Sequence, residues 1–344
     1  MGKRIVVIEG EDAAPEAMRP TLELLDHLDL GLEWLRPEVT DFEACRRAID
    51  GSDASFFGAT SGRSAGVIFY LRWGKQTFAN VRPIRWFPGC ASPLRDPAGI
   101  DFVIVRENLE DLYVCAEGDL EELRSSGLRS STAGRELADL APGAFAVKVI
   151  TEAASERVVR FSFELARQRR AAGHRGKVTC SSKYNMLPKS DGLFLKVARR
   201  VAADYPEIDF ESFIVDDFAR RVVATPQDLD VVVLPNLYGD ILSDAAAGVI
   251  GGLGLAPSGC YGEDYAYFES AHGTAPDIAG KNVINPTATI LSAVLMLEHL
   301  GFADAAAGLR DAVEAVYADG AALTPDQGGS ASTTSFCDAV AARI

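Results

Sequence analysis

The sequence predicts an α/β fold with a largely parallel sheet, on three observations. Short β-branched runs alternate with helical patterns along most of the chain. Its 344 residues, at about 150 residues per domain, allow roughly two domains. The composition, 48% hydrophobic and 24% charged, supplies ordinary globular cores.

The strand candidates, in order, are Ile5–Ile8, Phe102–Val105, Phe145–Val149, Lys177–Cys180, Phe213–Val215 and Leu229–Leu234. Each is short, rich in Val, Ile or Phe, and bounded by turn residues. The helical segments lie between them. One runs from about Ala153 to Arg167, with Val158, Phe161 and Leu165 forming one apolar stripe; Gly173 and Gly176 mark the loop after it. The others are Asp191–Asp204, Asp216–Ala224, Asp240–Ile250, Thr287–Leu300 and Asp304–Asp319. There is no internal repeat, low-complexity tract or long Ser/Gly/Pro linker. Turn-rich crossings at Pro88–Gly99 and Gly248–Gly254 therefore mark the expected boundaries. They predict a discontinuous first domain (residues 1–95 plus 251–344) with a second (96–250) inserted in it.

Charge and cysteine usage exclude several classes. Lys and Arg number 34 against 49 Asp and Glu, a net charge of −15. Nucleic-acid binding draws on a basic face, so no nucleic-acid partner is expected. An acidic surface also repels anionic membranes, and an anionic substrate then needs a local arginine cluster or a bound cation. The six cysteines include no C-x-x-C pair, which argues against a disulfide framework or a zinc site. The start of the chain is too short in apolar residues for a signal peptide, and Ala245–Gly262 is broken by glycines and Pro257. The expectation is a soluble, cytoplasmic protein with no membrane partner.

Neither G-x-G-x-x-G after the first strand nor G-x-x-x-x-G-K-[ST] occurs, so no Rossmann motif or Walker phosphate loop is present. There is likewise no G-x-S-x-G and no H-E-x-x-H. The most informative segment is Asn236-Leu-Tyr-Gly-Asp-Ile-Leu-Ser-Asp244. A helix beginning near Asp240 sets Asp240 and Asp244 at i and i+4 on one face. Two such carboxylates repel unless a cation lies between them, and hard oxygen ligands suit magnesium or manganese. A helix cap and a solvated aspartate explain the same spacing. Arg72, Arg82 and Arg106 form the second constellation: guanidinium groups bind carboxylates bidentately, and Arg106 ends a strand run where α/β ligand sites form. Surface solubility explains any one of them taken alone.

Leu71-Arg72, Phe78-Ala-Asn-Val-Arg82-Pro and Asp101-Phe-Val-Ile-Val-Arg-Glu-Asn-Leu-Glu-Asp-Leu-Tyr113 resemble signature stretches of the β-decarboxylating dehydrogenases, the isocitrate/isopropylmalate dehydrogenase family. Lys183-Tyr-Asn185, Asp191-Gly-Leu-Phe, Val215-Asp216, Asn236 to Asp244, and His272-Gly-Thr-Ala-Pro-Asp277 through Asn285-Pro-Thr continue the likeness in order. It runs to the closing Thr324-Pro-Asp-Gln-Gly-Gly. Ile8-Glu9-Gly10, Tyr70-Leu71-Arg72 and Leu255-Ala-Pro-Ser-Gly259 are most similar to the homoisocitrate dehydrogenase arm.

The resemblance implies a two-domain isopropylmalate-dehydrogenase-like fold with a sheet in each domain. The first domain would bind dinucleotide; the second would carry dimerisation and the metal and substrate site. It implies a homodimer with shared active sites and a small polycarboxylate substrate, a 3-substituted malate oxidised and decarboxylated to a 2-oxo acid and CO2. Arg72, Arg82 and Arg106 would hold its carboxylates. Asp240 and Asp244, with Asp216 of the neighbouring subunit, would ligate Mg or Mn. Lys183, also from the second subunit, would take the hydroxyl proton, and Tyr113 would protonate the enol carbon. A packed phenol and a solvated loop lysine are the plain alternatives for these two.

His272, Gly273, Thr274, Ala275, Pro276, Asp277 and Asn285 would line the cofactor site. Asp277 stands where relatives meet the adenosine ribose, and a carboxylate there accepts the free hydroxyls of NAD and repels a 2′-phosphate. NADP-using relatives carry a lysine–tyrosine pair at the positions of Asp277 and Ile278. Ile68 and Phe69 face the substrate tail in this reading and point to an apolar pocket, unless they merely pack their helix and Arg63, Ser64 or Arg85 reaches the tail.

The family's first loop, Gly-Asp-Gly-Ile-Gly-Pro-Glu, is here Gly10-Glu-Asp-Ala-Ala-Pro-Glu16, two glycines fewer. Either the loop re-forms around the cofactor or dinucleotide binding weakens. Homoisocitrate-like and alkylmalate substrates rank first; isocitrate, tartrate or malate types and a phosphonate-tailed malate follow. The reading from another class is a catalytically silent regulatory homologue.

Overall fold

The computed structural model describes residues 2–344. Its strands are β1 (Arg4–Ile8), β2 (Glu33–Leu35), β3 (Ala54–Phe57), β4 (Ala79–Arg85), β5 (Asp101–Glu107) and β6 (Glu117–Asp119). They continue with β7 (Ala144–Ala146), β8 (Lys177–Ser182), β9 (Asp209–Ile214), β10 (Val231–Leu234), β11 (Pro257–Tyr261) and β12 (Ala266–Ser270). Ten of them join edge to edge in the order β2-β1-β3-β12-β11-β4-β5-β10-β8-β9, while β6 and β7 make a separate two-stranded ribbon. The pairings β12–β11, β11–β4 and β4–β5 at the centre are antiparallel and the others in the large sheet are parallel.

The α/β class is as expected, and the expected pair of sheets is corrected to one. Strands from residues 1–95 and 251–344 fill one side and strands from 96–250 the other, and β4 and β5 pair along seven residues where they meet. Two further corrections concern elements. Phe145–Val149 enters no strand of the large sheet, because Ala144–Ala146 pairs with Glu117–Asp119 instead. The strand expected at Phe213–Val215 is β9, which ends at Ile214, and Val215 already starts a helix.

The helices are α1 (Ala14–His27), α2 (Phe42–Asp50), α3 (Ala65–Phe69), α4 (Glu152–Ala171) and α5 (Ser190–Ala202). Next come α6 (Val215–Ala224), α7 (Asn236–Ile250), α8 (Thr287–His299), α9 (Ala303–Asp319) and α10 (Thr333–Ala341). Thr151 caps α4 by accepting the Ala154 N–H at 3.2 Å. Its inward side is Ser155, Val158, Val159, Ser162, Phe163 and Ala166, one step round from the expected stripe, so Phe161 and Leu165 lie on its flank. α7 ends where Gly251 takes φ +128°, a value that L side chains rarely adopt.

Alternation along β4 and β5 positions the chemistry. Ile104 faces the side covered by α7, and so do Arg82, its register partner, and Arg106, two residues on. Val81, Val103 and Val105 face the opposite side, against Val158, Val159 and Phe163 of α4. Each strand therefore seats a guanidinium on one face by burying valines on the other.

Ile104 is fully buried directly behind this arrangement. Ile104→Ala is expected to cost about 2–5 kcal/mol of stability. The denaturant midpoint measures it, with m unchanged.

Candidate active site

Arg82 and Arg106 come from adjacent strands, and α7 lays Asp240 and Asp244 over them. α7 begins at Asn236, earlier than the expected start near Asp240, which places Asp240 one turn inside the helix and removes the capping explanation. Arg72 arrives differently. After α3 the chain makes one wide helical turn over Tyr70–Gly74, closed by Lys75 N–H to Tyr70 O at 2.9 Å. Such turns re-aim side chains. This one sends the Arg72 Nε to the carbonyl of Asn108 at 2.6 Å.

These groups form one network. Arg106 is paired with Asp240 through Nη1, and its Nε donates to Asn236 Oδ1 at 2.9 Å. Arg72 Nη2 donates to the same oxygen at 3.3 Å. Arg82 Nη1 reaches Ser243 Oγ at 2.7 Å and Asp244 Oδ1 at 3.0 Å, and Nη2 lies 3.4 Å from Asp240. Tyr113 donates its hydroxyl to the other oxygen of Asp240, and its ring carries the Arg106 guanidinium at 4.9 Å and that of Arg72 at 5.3 Å. Among the described residues, Arg82 Nε and Arg106 Nη2 are buried donors without a hydrogen-bond partner. Unpartnered buried donors are costly, so this pair is fitted to receive an anion.

The electrostatics follow from burial and proximity. Burial, with Arg72 and Arg82 nearby, lowers the Arg106 pKa to about 10. Burial works to raise that of Asp240, but Arg106, the Tyr113 hydrogen bond and the other two arginines outweigh it, so Asp240 is held below the usual carboxylate range. Burial raises Asp244, offset in part by Arg82. Burial first, and the bond to Asp240 second, raise the Tyr113 phenol, which stays protonated across the neutral range.

Lys183 and Asp216 stand apart. Lys183 Nζ is paired with Asp216, and no hydrogen bond or ion pair among the described residues links either to the arginine cluster. Nor does any group of three His, Cys, Asp or Glu suited to a metal form within the described residues. The expected third metal ligand is thus absent from the chain's own cluster.

Ile68 is half-buried against Val67 and Leu71, while Phe69 is 57% exposed and leans on Trp73 with ring centroids 5.4 Å apart. Arg85 points to the opposite face, where it pairs with Glu314 at 2.8 Å. It is withdrawn from the substrate-tail role considered for it. Arg63 is exposed and free of ion pairs among the described residues. A groove of about 780 Å³ between α4 and α8 also lies on that opposite face and holds none of the arginine cluster.

The expected cofactor segment packs on the altered first loop. Ala13 donates its N–H to Thr274 O at 3.0 Å, and Ala13 and Ala17 bury against Ala275, Ile278 and Ile284. Only one of the two lost glycine positions needs an unusual backbone: Asp12 takes φ +54°, which aspartate tolerates better than most residues, whereas Ala14 opens α1. His272 bonds Gly273 O through Nδ1 at 2.8 Å, and its Nε2 is buried without a partner among the described residues. Burial lowers its pKa and keeps the ring neutral. Gly273, Pro276 and Asp277 are exposed, whereas the Asn285 side chain is spent on Tyr317, Asp326 and Thr287.

Sequence reasoning gave no role to Asn236, Ser243 or Glu11. The first two lie inside the motif that carries the aspartates. Glu11 accepts from Thr60 Oγ1 at 2.9 Å, Ser61 N at 3.1 Å and Ser64 N at 3.1 Å. Its only signal was a cluster of hydroxyl residues at 60–64.

The sequence profile of the isocitrate/isopropylmalate dehydrogenase family matches residues 4–340. A 3-isopropylmalate/3-methylmalate dehydrogenase of Methanocaldococcus jannaschii is 42% identical over 99% of this chain and 98% of its own length. An isocitrate/homoisocitrate dehydrogenase of Thermus thermophilus is 39% identical with the same coverage. The crystal structure of isocitrate dehydrogenase from Methylococcus capsulatus superposes with a TM-score of 0.85 at 34% identity, covering 100% of this chain and 99% of that one.

Glu11 generates a test of the first loop. Burial is the largest single influence and opposes its ionisation, but the hydrogen bonds from Ser61, Thr60 and Ser64 together outweigh it and bring its pKa from 4.5 to about 2. A depressed carboxylate stabilises the fold above its unfolded pKa and loses that stabilisation as pH falls through the folded value. Glu11→Gln should therefore melt below the parent at pH 7. The gap should close between about pH 4.5 and about pH 2, read by thermal unfolding at each pH.

Proposed function

Because the chain belongs to the isocitrate/isopropylmalate dehydrogenase family, and is thus a dehydrogenase that acts on a hydroxyl group with decarboxylation, we propose that its substrate is a 3-substituted malate, its oxidant NAD and its metal Mg or Mn. The observation that carries this reading is the convergence of Arg72, Arg82, Arg106, Tyr113 and Asp240 in one network, with two buried guanidinium donors left open.

The residues divide the work as follows. The open Arg82 Nε and Arg106 Nη2 take substrate carboxylate oxygens, and Arg72, anchored on Asn108 O, closes the same anion site. Asp240 and Asp244 supply hard oxygen donors one helical turn apart, which suits Mg or Mn. Asp216 of a second copy completes the donor set. When bound, the metal polarises the oxo group and NAD accepts the hydride. Lys183 Nζ of that second copy receives the C2 hydroxyl proton. Tyr113 Oη, protonated at neutral pH, then delivers a proton to C3 after CO2 leaves.

The shared site is supported by what the chain leaves bare. Lys183 and Asp216 sit apart from the cluster, and Met186 and Ile241 are 63% and 58% exposed beside Lys183 and Asp240. Val223, on the same helix as Asp216, is 56% exposed. Exposed apolar groups beside both half-sites favour a homodimer. The two domains would be residues 1–95 plus 251–344, holding the cofactor, and 96–250, holding the metal and dimer contacts.

For the tail of the substrate, Ile68 and Phe69 favour an alkyl group, and a 3-alkylmalate ranks first. Arg63, exposed and unpaired on the same segment, keeps a homoisocitrate-like carboxylate tail second. For the nucleotide, exposed Asp277 favours NAD through repulsion of a 2′-phosphate.

NADH formation with Mg across 3-isopropylmalate, 3-methylmalate, homoisocitrate, isocitrate, tartrate and malate tests the reading. One 3-substituted malate should dominate, and a folded protein silent on all of them overturns it. Tyr113→Phe should lower kcat by about 10²–10⁴-fold with little change in KM, and Asp277→Lys should shift the NAD to NADP ratio toward NADP. Steady-state kinetics reads both.

A further inference from the structure

We propose that Lys148 is a positioning residue for two active sites at once: its ammonium ties the loop that carries Tyr113 to the loop that carries Lys183. The proposal rests on the shared-site reading above, in which one chain gives Tyr113 to its own site and Lys183 to its neighbour's.

Three observations carry it. Lys148 Nζ lies 2.8 Å from Asp191 Oδ2 and 3.4 Å from Asp111 Oδ1, and both carboxylates are fully buried. Each carboxylate holds a different piece of machinery. Asp191 Oδ1 accepts the backbone N–H of Lys183 at 2.8 Å. Asp111 accepts Leu112 N–H at 2.9 Å, next to Tyr113, and Leu237 N–H at 3.1 Å, three residues before Asp240.

Asp111 also holds a costly backbone conformation, φ +69° with ψ −141°, immediately before the short turn containing Tyr113. Backbone bonds to Val149, from Asp111 N at 2.8 Å and to Asp111 O at 3.3 Å, place Lys148 beside it. The ammonium rests on the face of Tyr238 at 4.4 Å, so α7 closes the remaining side. Two buried carboxylates with no cation between them repel across a poorly screening interior. The ammonium converts that repulsion into a link, and the link joins the groups that the proposed mechanism places in neighbouring sites.

The two sites of a homodimer allow a complementation test. Tyr113→Phe and Lys183→Ala chains should rescue each other when co-expressed. Their mixed dimers keep one whole site, giving about a quarter of wild-type activity for random pairing. Lys148→Met impairs its own acid and lends a misplaced lysine to its neighbour. It should complement neither, regaining under about a tenth of that activity, with KM for NAD unchanged, since a displacement of about 1 Å costs about 10²-fold. Lys148→Arg, which keeps the charge, should recover part of the loss.

Where K148M does not fold, K148Q, which removes the charge and leaves Asp111 and Asp191 in place, is read in the same way. Rescue of either partner to about a quarter of wild-type activity by a folded charge-removing variant, K148M or K148Q, overturns the proposal. If Y113F and K183A fail to rescue each other, the shared-site reading falls instead. The strut is then judged on the homodimer, where an unchanged kcat for K148M overturns it.

Discussion

Three guanidinium groups gathered at one place in a low-dielectric setting repel each other, and the front half of this molecule is organised around Asp240, the carboxylate that offsets that repulsion. Arg106 is only 4% exposed at its side chain and Arg82 8%. Neither is tolerable there without a counter-charge. Asp240 meets Arg106 and Arg82 with one oxygen and Tyr113 with the other. One residue thus balances the cluster and aims the phenol. In the proposed function, this is the pairing that substrate and metal would rearrange. The two arginine donors left open, Arg82 Nε and Arg106 Nη2, carry the part of that charge which no acceptor among the described residues meets.

The sheet makes this arrangement possible. A residue on a strand can bury a charge on one face only if its neighbours anchor the strand on the other. Val81 and Val103 do so against α4, beneath Arg82 and Arg106. The antiparallel pairing of β4 with β5 then sets Asn80 opposite Arg106 and Arg82 opposite Ile104, bringing both guanidinium groups under α7. At the first loop the constraint is local. Glu11 gathers three hydroxyl residues into one turn, and Ala13 fixes that loop to the segment from His272 to Asp277.

Most of the candidate site was legible because its residues lie in ordered motifs, and i, i+4 spacing on a helix is a reliable statement about facing. Arg72 was legible as an arginine but not as a position, since the wide turn at Tyr70–Gly74 has no sequence rule of its own. β3, β4, β11 and β12 were passed over as strands, because short runs holding Ser, Gly, Asn, Arg and Pro read as turns until their partners are known. For the same reason two expected sheets proved to be one: strand pairing across β4 and β5 is a long-range fact. The loss of two glycines from the first loop overstated the change there. Ala14 occupies a helical conformation that asks nothing special of it, and Asp12 carries the one positive φ.

In the shared-site reading proposed above, a chain that holds Tyr113 and Asp240 on one cluster and Lys183 and Asp216 on another faces a problem of registration. Each half-site must be rigid before its partner arrives, since flexible halves would give up binding free energy on assembly. The buried carboxylates Asp111 and Asp191 supply that rigidity from opposite directions, each spending its acceptors on backbone N–H groups of a functional loop. Two like charges this deep are a liability alone. With the Lys148 ammonium between them they become a fixed spacer between the two half-sites. The chain carries a net charge of −15, and inside it Arg82, Arg106 and Lys148 are each paired with a carboxylate, Asp240 for the two arginines and Asp191 for the lysine.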